Sequence, residues 1–84
     1  MSHKLNNKKI GKLVRAFRKS NKINQTKLGK RLGLHQTAIC RIEQGSQDLT
    51  VLQLIKLCTV FRIWESYFFS ALRDGRFENE KSKK

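Results

Sequence analysis

Gln36, Thr37, Cys40, Arg41 and Gln44 recur at spacings that gather side chains onto one side of a helix, while Ala38, Ile39 and Ile42 face the other way. The gathered set holds two primary amides, a hydroxyl, a thiol and a guanidinium, which are donors and acceptors of hydrogen bonds with one permanent positive charge. Such a set recognises a partner; it does not break bonds. No paired carboxylates, no nucleophile beside a base and no phosphate-cradling glycine loop accompany it. His35, five residues before Cys40, makes no catalytic pair, and an enzyme is not expected. Glu43 is the single acid of the segment, and its spacing from Ile39 turns it partly toward the interior.

The charge balance narrows the class of partner. Nineteen basic residues stand against six acidic ones in 84, a formal net charge of +13, which favours a polyanion: DNA, RNA, an anionic lipid surface or an acidic protein. Met1 to Arg31 holds eight lysines and three arginines and no acid, so one end of the molecule should project positive potential. Cys40 and Cys58 have no clustered His or Cys companions, so neither a metal site nor a disulfide scaffold is expected, and a reducing compartment, the cytoplasm, is the default. No cofactor is implied. No apolar run approaches the roughly 18 residues of a membrane span, and the polar residues Met1 to Asn7 do not read as a signal peptide.

The elements that must position the polar face are short helices. Ile10, Leu13, Val14 and Phe17 predict a first helix over about Lys8 to Lys22. Asn24 is an N-cap candidate for a second, Gln25 to Leu32, with Leu28 and Leu32 on its inner side and Gly33 as a left-handed exit. A third begins at about Gln36 and ends where Gly45 can terminate it. Thr50 and Gln53 fit a reciprocal capping box at the head of a fourth, Val51 to Val60. Its Leu52, Leu54, Ile55, Leu57, Cys58 and Phe61 make it the expected central packing element. A fifth runs from Glu65 to Leu72. The result is an all-α, five-helix domain over residues 8–72, with a basic arm at 1–7 and a polar tail at 73–84 that carries Phe77 as an isolated aromatic. Gly29 permits close approach of the second and third helices, and Leu28, Ile39 and Ile42 supply their shared seam.

The stretch Gln25 to Glu43, QTKLGKRLGLHQTAICRIE, resembles the helix-turn-helix of the phage repressor and Cro group, the XRE family. The likeness extends over about Lys8 to Phe69, and the spacing of Gln25, Gly33, Ile39, Ile42, Glu43 and Gly45 carries it. It implies a repressor-like domain whose third helix lies in the major groove of double-stranded DNA. By position, Gln36, Thr37 and Arg41 become the base-facing group with Cys40 beside them. An amide matches adenine N6/N7, a guanidinium matches guanine O6/N7, and the Thr37 methyl or hydroxyl can meet thymine or phosphate. Gln25, His35 and Gln44 fall where relatives contact phosphate, with Lys8, Lys9 and Lys27 as further contributors. Arg18 and Glu43 match a pair that ties the first helix to the end of the third. Three departures stand out: Gly29 replaces a more usual alanine, Arg62 occupies a bend where glycine is common, and Trp64 stands where a small capping residue is common. Arg62 and Trp64 put the start of the fifth helix in question.

The resemblance also implies a homodimer on a near-palindromic operator. Ile63, Trp64, Tyr67, Phe68 and Phe69 are the interface candidates, with Phe68 or Leu72 placed in the core and Trp64 or Phe69 given to the partner. Phage regulators, restriction-modification controllers and toxin-antitoxin antitoxins share this architecture, so RNA polymerase or a toxin are further partner classes. The alternative from a different class is an antitoxin or other protein-interaction module built on the same fold.

Overall fold

A computed structural model describes residues 7–74. Five α-helices follow one another: α1 Asn7–Ser20, α2 Gln25–Leu32, α3 Gln36–Gln44, α4 Val51–Phe61 and α5 Glu65–Asp74. The tail beyond Asp74, Phe77 included, and the first six residues lie outside the described residues. No described helix is long and apolar enough to cross a membrane.

Each boundary has a local cause. Asn24 caps α2 by accepting from the Lys27 amide at 2.8 Å. Thr50 and Gln53 close the expected box at the head of α4, with bonds of 3.0 and 3.1 Å. The first four helices share one ending. A residue with positive φ donates its amide three residues back, and its successor donates five residues back, which is the Schellman pattern. Gly33 and Gly45 take that conformation freely; Lys22 and Arg62 take it with a Cβ, at φ 57° and 59°. Lys22 therefore ends α1 at Ser20, two residues short of the sequence expectation. Arg62 adopts the left-handed backbone that glycine takes most readily, and α5 begins at Glu65 as expected.

The core gathers Val14 and Phe17 of α1, Leu28 and Leu32 of α2, Ile39 and Ile42 of α3, Leu57, Cys58 and Phe61 of α4, and Phe68, Ala71 and Leu72 of α5. Phe17 joins three helices, stacking on Phe61 at 5.7 Å and Phe68 at 6.1 Å and meeting Tyr67 edge-on at 6.0 Å. Burial pushes the Cys58 thiol up from 9.0 to about 11, with the Glu65 charge adding to the shift. The fourth helix is not the central element that its composition suggested. Only its second half is inside, and Val51 and Leu52 are 74% and 63% exposed. The centre is instead the seam of α1 with α3. There, a Cβ on Gly11 would collide with the Ile42 carbonyl and stand 2.5 Å from that of Glu43, so glycine sets how closely the helices approach.

A candidate nucleic-acid interface

Helix α3 is held by one side and offered by the other. Ile39 and Ile42 are buried in the core, while Gln36, Thr37, Arg41 and Gln44 are exposed and Cys40 is half-buried. The turn before it is tighter than alanine would allow. A Cβ on Gly29 would stand 2.6 Å from the Leu34 carbonyl, which accounts for glycine at this position. His35 occupies the N-cap position but makes no side-chain cap, leaving its imidazole exposed. Gln44 donates to the Cys40 sulfur at 3.4 Å, one turn earlier on the same face.

The expected pair is present and buried. Arg18 Nε donates to Glu43 Oε2 at 2.6 Å and Arg18 Nη2 to Glu43 Oε1 at 3.1 Å, a two-pronged contact between α1 and α3. Arg18 Nη1 also donates to the Ile23 carbonyl at 2.9 Å, so the guanidinium fastens the α1–α2 turn as well. No buried side-chain nitrogen or oxygen among the described residues lacks a hydrogen-bond partner, so this charge is fully met.

Two contacts add what sequence spacing did not reveal. Gln25 Nε2 donates to Glu43 Oε1 at 3.0 Å, and Gln36 Nε2 donates to Gln25 Oε1 at 2.6 Å. Gln25, half-buried at the head of α2, thus links the buried carboxylate to the first residue of the exposed face. No sequence signal marks these partners, which lie 18 and 11 positions apart on different helices. At the far end of α3, Asn7 Nδ2 donates to Asp48 Oδ1 at 2.6 Å. The Gly45 cap leaves room for the backbone of Lys8, whose Cα would lie 2.9 Å from a Cβ at position 45.

The candidates therefore bracket α3. Gln25 sits with Gln36 at one end and Lys8 beside Gly45 at the other, and Lys8, Lys9, Lys27, His35 and Gln44 are exposed. Positive charge and hydrogen-bonding groups so arranged suit a convex element entering a groove. The α5 candidates divide. Trp64 is 78% exposed, Tyr67 and Phe69 are also exposed, and Ile63 is half-buried against the core. Phe68 is 1% exposed and belongs to the core, not to a surface, which resolves one of the two placements left open for it. Among the described residues no three His, Cys, Asp or Glu side chains gather as a metal set.

The fold has known counterparts. A family model described as helix-turn-helix matches residues 14–68. The restriction-modification controller protein C.AhdI of Aeromonas hydrophila superposes with a TM-score of 0.69 and 22% identity, covering 74% of this chain and 94% of its own. The clp gene regulator ClgR of Corynebacterium glutamicum superposes with a TM-score of 0.76 and 13% identity, covering 92% of this chain and 81% of its own. At these identities the likeness is one of fold. No curated protein sequence matches.

Proposed function

The chain belongs to the helix-turn-helix family, and on that premise we propose that it is a transcriptional regulator that binds a near-palindromic operator in double-stranded DNA as a homodimer. The observation that carries this reading is the division of α3. Ile39, Ile42 and Glu43 anchor it to the domain, while Thr37 and Arg41 are exposed and Gln36, exposed as well, is held by a side-chain bond to Gln25. A rigid helix with free polar side chains can enter a major groove without refolding.

Roles follow from chemistry. Gln36 and Arg41 read base edges, each bidentate contact discriminating by about 1–3 kcal/mol, with Thr37 and Cys40 beside them. Lys8, Lys9, Lys27, His35 and Gln44 meet phosphates and set register, and the +13 charge makes affinity fall steeply with salt. One recognition helix spans only a few base pairs, so two copies with half-sites roughly 34 Å apart add their free energies. Trp64, Tyr67 and Phe69 are the anchors of that pairing, because exposed aromatic side chains lose most by facing water and gain most at an interface. Occlusion of a promoter gives repression, and contact with RNA polymerase gives activation. The controller protein among the structural counterparts supports the operator reading by analogy of fold.

A second reading, an antitoxin or other protein-interaction module, draws on the exposed Val51, Leu52 and Ile55 of α4. Selection of bound duplexes from a random pool, followed by binding at two salt concentrations, separates the two. The regulator reading expects a symmetric consensus that Arg41→Ala relaxes at one position per half-site, while Lys27→Ala weakens all sequences alike. Recovery of a stoichiometric toxin together with uniform binding to all DNA would favour the module.

A further inference from the structure

We infer that Glu43 is a positioning residue that sets which base Gln36 prefers, acting through Gln25; this rests on the reading of Gln36 as base-facing. A carboxylate only accepts hydrogen bonds, so whatever meets Glu43 Oε1 must donate. Arg18 Nη2 donates to it at 3.1 Å, and Gln25 is compelled to offer its NH2, which it does at 3.0 Å. The Gln25 carbonyl oxygen then points the other way, toward Gln36, which must in turn offer an N–H, and does so at 2.6 Å. The polarity of two successive amides is thus dictated by one buried charge.

The consequence lies at the outer end of the chain. With one N–H committed to Gln25, Gln36 presents one remaining N–H and its carbonyl oxygen to a partner. One donor beside one acceptor matches the adenine edge, N7 accepting and N6 donating, and mismatches guanine, whose N7 and O6 both accept. A freely turning amide could reverse itself and present both N–H groups outward. Arg18 secures the inner end against such a reversal. Its two bonds to Glu43, with side chains 10% and 3% exposed, hold the carboxylate in place.

Replacing the charge by an amide reverses the logic. In Glu43→Gln the carbonyl oxygen keeps the Oε2 place, where Arg18 Nε makes its shorter bond, and the NH2 takes the Oε1 place, giving up the Arg18 Nη2 bond and facing Gln25. Gln25 then turns its oxygen inward and its NH2 toward Gln36, and Gln36 answers with its oxygen and frees both N–H groups. The base preference at the Gln36 position should move from adenine toward guanine, where a merely structural role for Glu43 would weaken all sequences alike.

The test is quantitative selection of duplexes by the full chain and its variants, each shown to be folded by circular dichroism, with Gln36→Ala locating the position that Gln36 reads. The expected result is that Glu43→Gln lowers the adenine-to-guanine ratio there by about 10-fold or more. Gln25→Leu, which leaves the ion pair intact, should relax the same position alone by a similar factor, so the test stands even where Glu43→Gln fails to fold. An unchanged ratio in a folded Gln25→Leu protein, or a loss shared equally by all sequences, would overturn the relay while leaving Gln36 as a base reader. If Gln36→Ala alters no position, the base-facing reading itself falls and the relay falls with it.

Discussion

Arg18→Met is the most informative single change to the scaffold. Methionine fills much of the same volume but removes three hydrogen bonds at 2.6, 3.1 and 2.9 Å. Glu43, with a side chain only 3% exposed, is left with Gln25 as its one remaining partner in this network. Breaking a buried pair from one side costs about 3–5 kcal/mol, because the surviving charge stays out of water without its counter-charge. Against a whole stability of roughly 4–12 kcal/mol for a chain of this length, that loss brings the domain close to unfolding. Removing both charges in Arg18→Met with Glu43→Leu should recover most of it, since the residual carboxylate is gone and two apolar side chains replace the pair. Urea unfolding followed by far-ultraviolet circular dichroism provides the assay; Trp64 is too exposed to serve as a fluorescent reporter of the core. The expected coupling between the two substitutions exceeds about 2 kcal/mol. Additivity within about 0.5 kcal/mol would refute the idea that Glu43 depends on Arg18 for its burial.

Other substitutions probe the scaffold at separate points. Gly11→Ala forces a methyl against the Ile42 and Glu43 carbonyls and should destabilise by about 1–3 kcal/mol despite alanine's better helix propensity, lowering the melting temperature by roughly 10 °C. Arg62→Gly relieves a left-handed residue carrying a Cβ and should raise the urea midpoint, with a gain of about 0.5–1 kcal/mol once the looser unfolded chain is counted. The Cys58 thiol, raised to about 11 in the fold, stays protonated where an unfolded chain has already lost its proton. Its contribution is complete below pH 9 and declines as pH rises toward 11, so stability should fall across that window more steeply in the native protein than in Cys58→Ala.

Much of this fold was legible because its punctuation is local. Asn24 before Gln25, Gly33 after Leu32 and the Thr50–Gln53 box each act within one turn, so residue type and spacing were enough to place α2, the α2–α3 turn and the start of α4. Lys22 and Arg62 were harder, since a side chain with a Cβ gives no signal that its backbone will turn left-handed. Hydropathy misled at α4. Val51 and Leu52 carry apolar side chains, but burial depends on what faces them, and the fold places them toward solvent. Phe68 and Phe69 are adjacent and alike, and only the docking of α5 on Phe17 decided which entered the core.

The candidate interface was legible to a similar degree, and for the same reason. The polar face of α3 follows from a period of 3.6 within nine residues, and Arg18 with Glu43 follows from the family pattern. The link from Glu43 through Gln25 to Gln36 needs α2 docked on α3 before its distances exist. Long-range polar contacts between ordinary surface residue types leave no periodic trace.

Nuclear magnetic resonance titration with a selected operator duplex tests the claim on which the functional account depends. Backbone and side-chain signals of Gln36, Thr37, Cys40 and Arg41 should shift most, with those of Gln25 and Lys8 next. Largest shifts along Val51 to Ile55 or Tyr67 to Phe69, with α3 unmoved, would contradict that claim.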